Sequence, residues 1–177
     1  MLTTSRLFFA LWPDDETRQA LAQFSRHIPA KPIDPHNLHV TLVFLGQVDT
    51  ETESLIKQLA ADITTPPFEL VFDCLSYWRK PKILCLTCQQ DAPGEAMALT
   101  SALAKAAVDC GLKIDARTYT PHITLARHAR YLPDAKIEPI IWRAEAFCLV
   151  KSCSEPAGVN YKVIQQWPLL KASRPFA

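Results

Sequence analysis

The chain has 177 residues, 49% hydrophobic and 21% charged, with a formal net charge of +1. That length and composition suit one domain with a substantial apolar core. A nearly neutral chain without a Lys/Arg block excludes wrapping of a long duplex through many phosphate contacts, and fits a partner carrying one or a few phosphates.

The segment from Arg6 to Trp12 predicts a first strand. Its apolar run is short and stops at Pro13. It lacks the basic start, long apolar core and small-residue cleavage site of a leader. No stretch has the length of a membrane span, so the expected location is the cytoplasm. Asp14 or Asp15 caps a helix to about residue 28, with Leu21, Phe24 and Ile28 on one face. A loop with Pro32 and Pro35 leads to a strand from Leu38 to Leu45, ended by Gly46. Asp49 or Thr50 caps a second helix with the stripe Leu55, Ile56, Leu59 and Ile63, and Pro66-Pro67 stops it. Phe68 to Trp78 and Lys82 to Cys88 read as a hairpin around Arg79-Lys80-Pro81. Pro93 opens a third helix with Leu99, Leu103, Ala106 and Cys110 on one face, and Gly111 closes it. There follow a short strand from His122, a Pro-containing loop over 128–139, and strands near 144–151 and 160–167. The order suggests an α+β fold of two similar halves, each with strands and a helix, within a single bilobal domain over 1–177.

Two copies of one pattern carry the chemistry: His39-Val40-Thr41-Leu42 and His122-Ile123-Thr124-Leu125. Each lies in an apolar, β-branched run. Alternate side chains of a strand share a face, so His39 projects with Thr41, and His122 with Thr124. A neutral imidazole can accept a proton while a protonated one donates, and two such groups suffice to open a phosphodiester without a metal. Strand propensity alone also explains a lone His-x-Thr. It does not explain two copies in matching contexts.

Other candidates are weaker. The six cysteines are expected as buried thiols. Cys85 and Cys88 have zinc-like spacing, but a strand points them to opposite faces and no second pair completes a set of four, so no metal site is expected. His36 reads as a solvated loop residue, His27 as a helix-end residue and His128 as a rim residue. Phe9 reads as core. Tyr119 and Trp78 could stack on a base. Arg117 is a rim phosphate contact or a solvated charge.

The flanks extend the pattern. The second motif sits in Arg117-Thr118-Tyr119-Thr120-Pro121-His122-Ile123-Thr124-Leu125-Ala126-Arg127, and the first in Asn37-Leu38-His39-Val40-Thr41-Leu42-Val43-Phe44-Leu45-Gly46. Arg6-Leu7-Phe8-Phe9-Ala10 opens the chain, and Ser152, Gly158 and Tyr161 precede Trp167-Pro168-Leu169. The whole resembles the bacterial RNA 2′,3′-cyclic phosphodiesterases, formerly called 2′-5′ RNA ligases, of the two-histidine phosphoesterase superfamily. The resemblance implies a pseudo-symmetric bilobal fold, two antiparallel sheets flanked by helices, with the site in a central cleft.

By the same resemblance His39 and His122 are catalytic and no cofactor takes part. Thr41, Thr124 and Arg127 bind the phosphate, and Tyr119 and Arg117 are further substrate contacts. His39 is favoured as acid toward O3′ and His122 as base. The implied reaction opens a terminal 2′,3′-cyclic phosphate of RNA or a nucleotide to a 2′-phosphate, with reversible 2′-5′ joining, in a monomer. Cys85 stands where relatives often carry Trp. Alternatives are the same machinery acting on another cyclic phosphate or a 2′-5′ oligonucleotide, and an RNA-end-binding module without turnover. Strict alternation puts Arg127 opposite His122, so its role requires a bulge near the end of the strand. Unperturbed imidazoles would place the activity maximum near neutral pH.

Overall fold

The computed structural model of the protein describes residues 4–115, 117–156 and 158–170. In chain order the strands are β1 (Thr4–Leu11), β2 (Lys31–Pro32), β3 (Val40–Asp49), β4 (Phe68–Phe72), β5 (Cys74–Trp78) and β6 (Ile83–Thr87). They continue with β7 (His122–Arg127), β8 (Ile140–Ala144), β9 (Ala146–Glu155) and β10 (Gly158–Pro168). The helices are α1 (Asp15–Ser25), α2 (Thr50–Ala61) and α3 (Gly94–Asp109), with a 3-10 turn at Pro35–Asn37. The fold is α+β, and every strand pairing among the described residues is antiparallel.

One sheet runs β10-β9-β1-β3-β7-β6-β5, with β2 on β7, and a small sheet pairs β4 with β8. The long sheet is two ladders joined at one place. The central pair β3 and β7 meets in register only at Val40–Ile123, and both residues are fully buried. This junction sits inside the two motifs, one residue after His39 and one after His122. The apolar tetrapeptides thus join the two ladders, and the polar members of each motif lie on either side of the join.

The helices form for the expected reasons. The Asp14 and Asp49 side chains accept the N–H groups of Thr17 and Thr52 at 2.7 and 2.8 Å and cap α1 and α2. Leu21, Ile56, Leu99 and Leu103 bury completely in a core shared with Phe9, Phe72, Phe147 and Trp142. Gly111, in the left-handed conformation at φ +79, follows the end of α3.

Four expectations are corrected. Gly46 does not end its strand. At φ +76 it lies at a register shift against Leu7 and Phe8, and β3 continues to Asp49. The run Phe68–Trp78 is two strands, not one. Asp73 separates them, its N–H donating to Thr87 and its carboxylate accepting the Gln89 N–H, so β4 joins β8 while β5 forms the hairpin with β6. Strand β8, between the expected loop over 128–139 and the expected strand near 144–151, supplies that partner, burying Trp142 and Ala144. Leu55, placed on the buried stripe of the second helix, is 43% exposed, because α2 turns Ile56 and Ala60 to the core.

Candidate active site

The two histidines are held by the same device. Nδ1 of His39 lies 2.7 Å from the carbonyl of Asn37, and Nδ1 of His122 lies 2.9 Å from the carbonyl of Thr120. Each partner stands two residues before its histidine. A carbonyl only accepts, so in both rings Nδ1 carries the hydrogen and Nε2 is the nitrogen presented for chemistry. Nε2 of His39 is 3.0 Å from the Thr41 hydroxyl. Thr41 is buried and Thr124 half-buried.

Extending the Val40–Ile123 register by one residue each way sets His39 opposite Thr124 and Thr41 opposite His122. Opposed side chains in an antiparallel pair stand ~5 Å apart and diagonal ones roughly 7–8 Å apart. The histidines occupy one diagonal of this square and the threonines the other. A phosphate between them would meet an imidazole on each side and a hydroxyl donor at each remaining corner.

The surroundings of the two rings differ. His39 is enclosed by aromatics. Trp12 stacks on it at 5.8 Å between centroids, Tyr161 meets it edge-on at 5.1 Å, and Phe8 leans against it at 5.0 Å. Among the described residues His122 has one aromatic neighbour, Trp78, at 4.6 Å. Burial therefore pulls the His39 pKa down to about 4, opposed by the Asn37 carbonyl and reinforced by the positive charge of His122 and Arg127. Burial also lowers His122, again opposed by a carbonyl, that of Thr120. The charge effects of His122 and Arg127 on His39 place all three groups within electrostatic reach of one another.

The irregularity that the expected role of Arg127 requires is present in β7. Against β6, Thr124 pairs with Cys85 and Ala126 with Leu84, leaving Leu125 as the extra residue. Leu125 and Ala126 are both buried, and Arg127 emerges exposed. The bulge restores Arg127 to the face of His122 and Thr124. Strand β3 repeats the device. Thr41 pairs with Ala10 and Val43 with Phe9, leaving Leu42 extra. Leu42 and Val43 are buried and Phe44 is exposed. The halves correspond residue for residue: His39, Thr41, Leu42 and Phe44 match His122, Thr124, Leu125 and Arg127.

A cavity of about 670 Å³ opens beside Thr41 and His122. Its walls include Phe44, Trp78, Tyr119 and Arg117, with Thr100 and Ser101 of α3. Tyr119 packs its ring against the core; its hydroxyl is buried without a hydrogen-bond partner, and burial pushes its pKa up. Arg117 is exposed and paired to Asp115, Nε to Oδ2 at 2.7 Å, so a phosphate would have to compete with that carboxylate. His36 is exposed, its backbone N–H tied to Asp34. His27 is exposed with Nδ1 3.0 Å from the Gln23 carbonyl, and His128 is exposed at φ +57. Phe9 is fully buried. Cys85 is wholly buried in register with Thr124, and burial raises its thiol to about 12. No three His, Cys, Asp or Glu side chains gather into a metal-binding group among the described residues.

Asn37 is the residue the sequence reading passed over. Its carbonyl holds His39, and its amide donates to the Val159 carbonyl at 2.8 Å and accepts the Tyr161 N–H at 3.0 Å. More than a hundred residues separate Asn37 from β10, and only the position of Asn37 just before the motif hinted at this link.

A family model described as the 2′-5′ RNA ligase superfamily matches residues 13–153, well over half of the chain. The chain belongs to the 2′-5′ RNA ligase superfamily. It is 30% identical over 175 residues to an RNA 2′,3′-cyclic phosphodiesterase of Escherichia coli (strain K12), covering 96% of this chain and 99% of that protein. It is 28% identical over 184 residues to an RNA 2′,3′-cyclic phosphodiesterase of Thermus thermophilus, covering 93% and 90%. Among solved structures of the superfamily, E. coli LigT in apo form superposes with a TM-score of 0.84 at 29% identity, over 95% of this chain and 99% of that one. LigT complexed with 3′-AMP gives 0.84 at 29% identity over 96% and 100%.

Proposed function

We propose that this chain is an RNA 2′,3′-cyclic phosphodiesterase that opens a terminal cyclic phosphate by acid–base catalysis between His39 and His122. One observation carries the reading. Two separate motifs, 83 positions apart in numbering, carry identically anchored imidazoles, and the Val40–Ile123 register joins the strands that bear them. The names of the E. coli and T. thermophilus relatives and the bound nucleotide of LigT agree with it.

The chemistry follows from in-line displacement. One neutral imidazole takes a proton from water through Nε2, and the hydroxide so formed attacks phosphorus. The P–O3′ bond breaks as the second imidazole, protonated, gives its proton to the departing ribose oxygen. The products are a 2′-phosphate and a free 3′-hydroxyl. Thr41 and Thr124 donate to the non-bridging oxygens, where charge accumulates, and Arg127 neutralises it from the bulged end of β7. Tyr119, its hydroxyl buried, shapes the cavity wall, and Arg117 becomes a substrate contact by exchanging Asp115 for a phosphate. In the joining direction a 5′-hydroxyl replaces water and gives its proton to the same base, while O3′ again takes the proton of the other histidine; the roles exchange only when the 3′-hydroxyl attacks and cleaves the 2′-5′ linkage.

Both histidines come from one chain, so a monomer within one bilobal domain is a sufficient catalytic unit. No helix is long and apolar enough to cross a membrane among the described residues. Six free cysteines suit the reducing cytoplasm. The test is incubation of RNA ending in 2′,3′-cyclic phosphate in excess chelator, with the product terminus identified. A 2′-phosphate end is expected. An unchanged terminus, or turnover restored only by added divalent metal, would overturn the proposal.

A further inference from the structure

The fold gathers cations that the chain keeps apart. Three stretches carry no Asp or Glu: between Glu16 and Asp34, between Asp73 and Asp91, and between Asp115 and Asp134. Parts of all three meet at one end of the long sheet, where Arg127 leaves β7. Lys31 of β2 stands opposite Arg127 on one side, and Ile83 of β6 on the other. The turn before Ile83 carries Arg79, Lys80 and Lys82, and the loop after Arg127 carries Arg130. Turn and loop are fastened together. The Ala129 N–H donates to the Lys82 carbonyl at 3.0 Å, and the Tyr77 hydroxyl donates to the Ala129 carbonyl at 3.2 Å. Ala129 is buried there, while Lys31, Arg79, Lys80, Lys82, Arg127 and Arg130 are all exposed. Ion pairs engage Arg18, Lys57, Lys105, Arg117 and Arg143, but none of these six cations belongs to one among the described residues. Like charges held together without counter-charges repel one another. In a chain of net charge +1, such a cluster is best explained by an anionic partner.

We propose that this basic rim holds the backbone phosphates of a single RNA strand, those on the 5′ side of the cyclic end. This rests on the cyclic-phosphodiesterase reading and deepens it. Arg127 is the member the two share: it neutralises the cyclic phosphate and begins the rim. A terminal cyclic phosphate is one anion, and one guanidinium answers it. The other five cations answer charges that a cyclic mononucleotide lacks and that an oligonucleotide supplies at each linkage. Phosphate contacts position a strand without reading its bases, so the rim adds affinity for an end of any sequence. Exposed ammonium groups suit this task as point charges. Their number matches a few phosphates of one strand and falls short of what a long duplex needs. The bond between turn and loop keeps the cations in place before the strand arrives, so less ordering is left to binding.

The test compares a 2′,3′-cyclic mononucleotide with a pentanucleotide of the same terminal base ending in 2′,3′-cyclic phosphate, at low and high salt. Each phosphate held on a single strand adds ~0.7 to the slope of log affinity against log salt. With about three phosphates held, the kcat/KM ratio of pentanucleotide to mononucleotide should fall about twentyfold between ~50 and ~200 mM salt. Arg79→Gln combined with Lys80→Gln should limit that fall to about threefold, and so should Lys31→Gln combined with Arg130→Gln. Turnover of the mononucleotide should stay at the wild-type level in both. Arg79→Lys with Lys80→Arg keeps the charges and should keep the fall. All four side chains are exposed, so the variants should fold. Calorimetry with the mononucleotide and pentanucleotide ending in 2′-phosphate gives the same ratio without turnover. In a protein that turns over neither cyclic substrate, a salt dependence flattened by the variants would sink the phosphodiesterase reading and leave the rim standing. Normal mononucleotide turnover with a salt dependence that neither pair of substitutions changes would overturn the rim. So would capture of the wild type by phosphatidylserine vesicles, lost in the variants, with pentanucleotide binding unaltered.

Discussion

Asn37 fixes His39 while its own side chain is clamped to β10. The carbonyl of Asn37 accepts Nδ1–H of His39 at 2.7 Å, and its amide takes the Tyr161 N–H and gives to the Val159 carbonyl. The same Tyr161 presses its edge on the His39 ring. One residue thereby sets the tautomer of the imidazole, its orientation and the position of the wall it leans on.

Asn37→Ala removes both side-chain hydrogen bonds and leaves the carbonyl unanchored. At ~0.5–1.5 kcal/mol per bond it should cost about 1–3 kcal/mol of stability, read by urea unfolding. Turnover should fall chiefly in kcat, because a displaced imidazole still permits binding. An unchanged kcat in the destabilised variant would show that His39 needs no such support.

His39→Ala and His122→Ala should each lower turnover by ~10²-fold or more, the usual worth of general acid–base catalysis. His36→Ala should leave it intact, since that side chain is exposed and outside the square. Steady-state rates on cyclic-ended RNA, with circular dichroism to show folding, decide the matter. Equal losses at His36 and His39 would mean the pair is misassigned.

Thr124→Val and Arg127→Ala should weaken transition-state stabilisation by roughly 1–3 kcal/mol each. Phosphate inhibition is the simplest readout. Arg127→Ala should raise the inhibition constant and flatten its dependence on salt, as loss of an exposed charge would.

Most of the candidate site could be read from the chain because its parts are local. His39 and Thr41 share a face by alternation alone, and so do His122 and Thr124. Two copies of the pattern compensate for the unknown fold that brings them together. Arg127 came from the family resemblance alone and against a contradiction: alternation turned it away, and the Leu125 bulge turns it back. The twin bulge at Leu42 carried no such contradiction, so Phe44 passed unnoticed as a strand residue. The contacts of Asn37 with Val159 and Tyr161 span more than a hundred residues, and no periodicity encodes a side chain's hold on a distant strand. Strand β8 escaped because its partner β4 was hidden in a longer apolar run that only Asp73 divides.

Stability should decline as pH falls from ~6.5, the unfolded histidine value, to about 4, the folded value of His39. Across that window the unfolded chain binds the proton and the folded one does not, so protonation favours unfolding. Above it the contribution is fully present. His122, also lowered, adds in the same direction. His39→Gln should reduce the slope of urea midpoint against pH in this range. A slope unchanged by the substitution would show that the imidazole is not held neutral by burial.

The pH dependence of activity follows from the same burial and departs from the neutral optimum that unperturbed imidazoles would give. One histidine must be neutral and the other protonated, and both pKa values in the free enzyme lie below ~6.5. The kcat/KM profile should therefore be bell-shaped with its maximum on the acid side of ~6.5, since kcat/KM reports the free enzyme. A bound phosphate is an anion beside both rings and favours the imidazolium, so the kcat profile should lie at higher pH than that of kcat/KM. Arg127→Ala removes a positive charge that lowers His39, so the limb belonging to His39 should move upward. Losing that limb altogether in a His39 variant assigns its role: loss of the acidic limb marks a base, loss of the basic limb an acid. A wild-type kcat/KM maximum above pH 7, with chemistry rate-limiting, would show that His39 and His122 are not the buried acid–base pair their geometry describes.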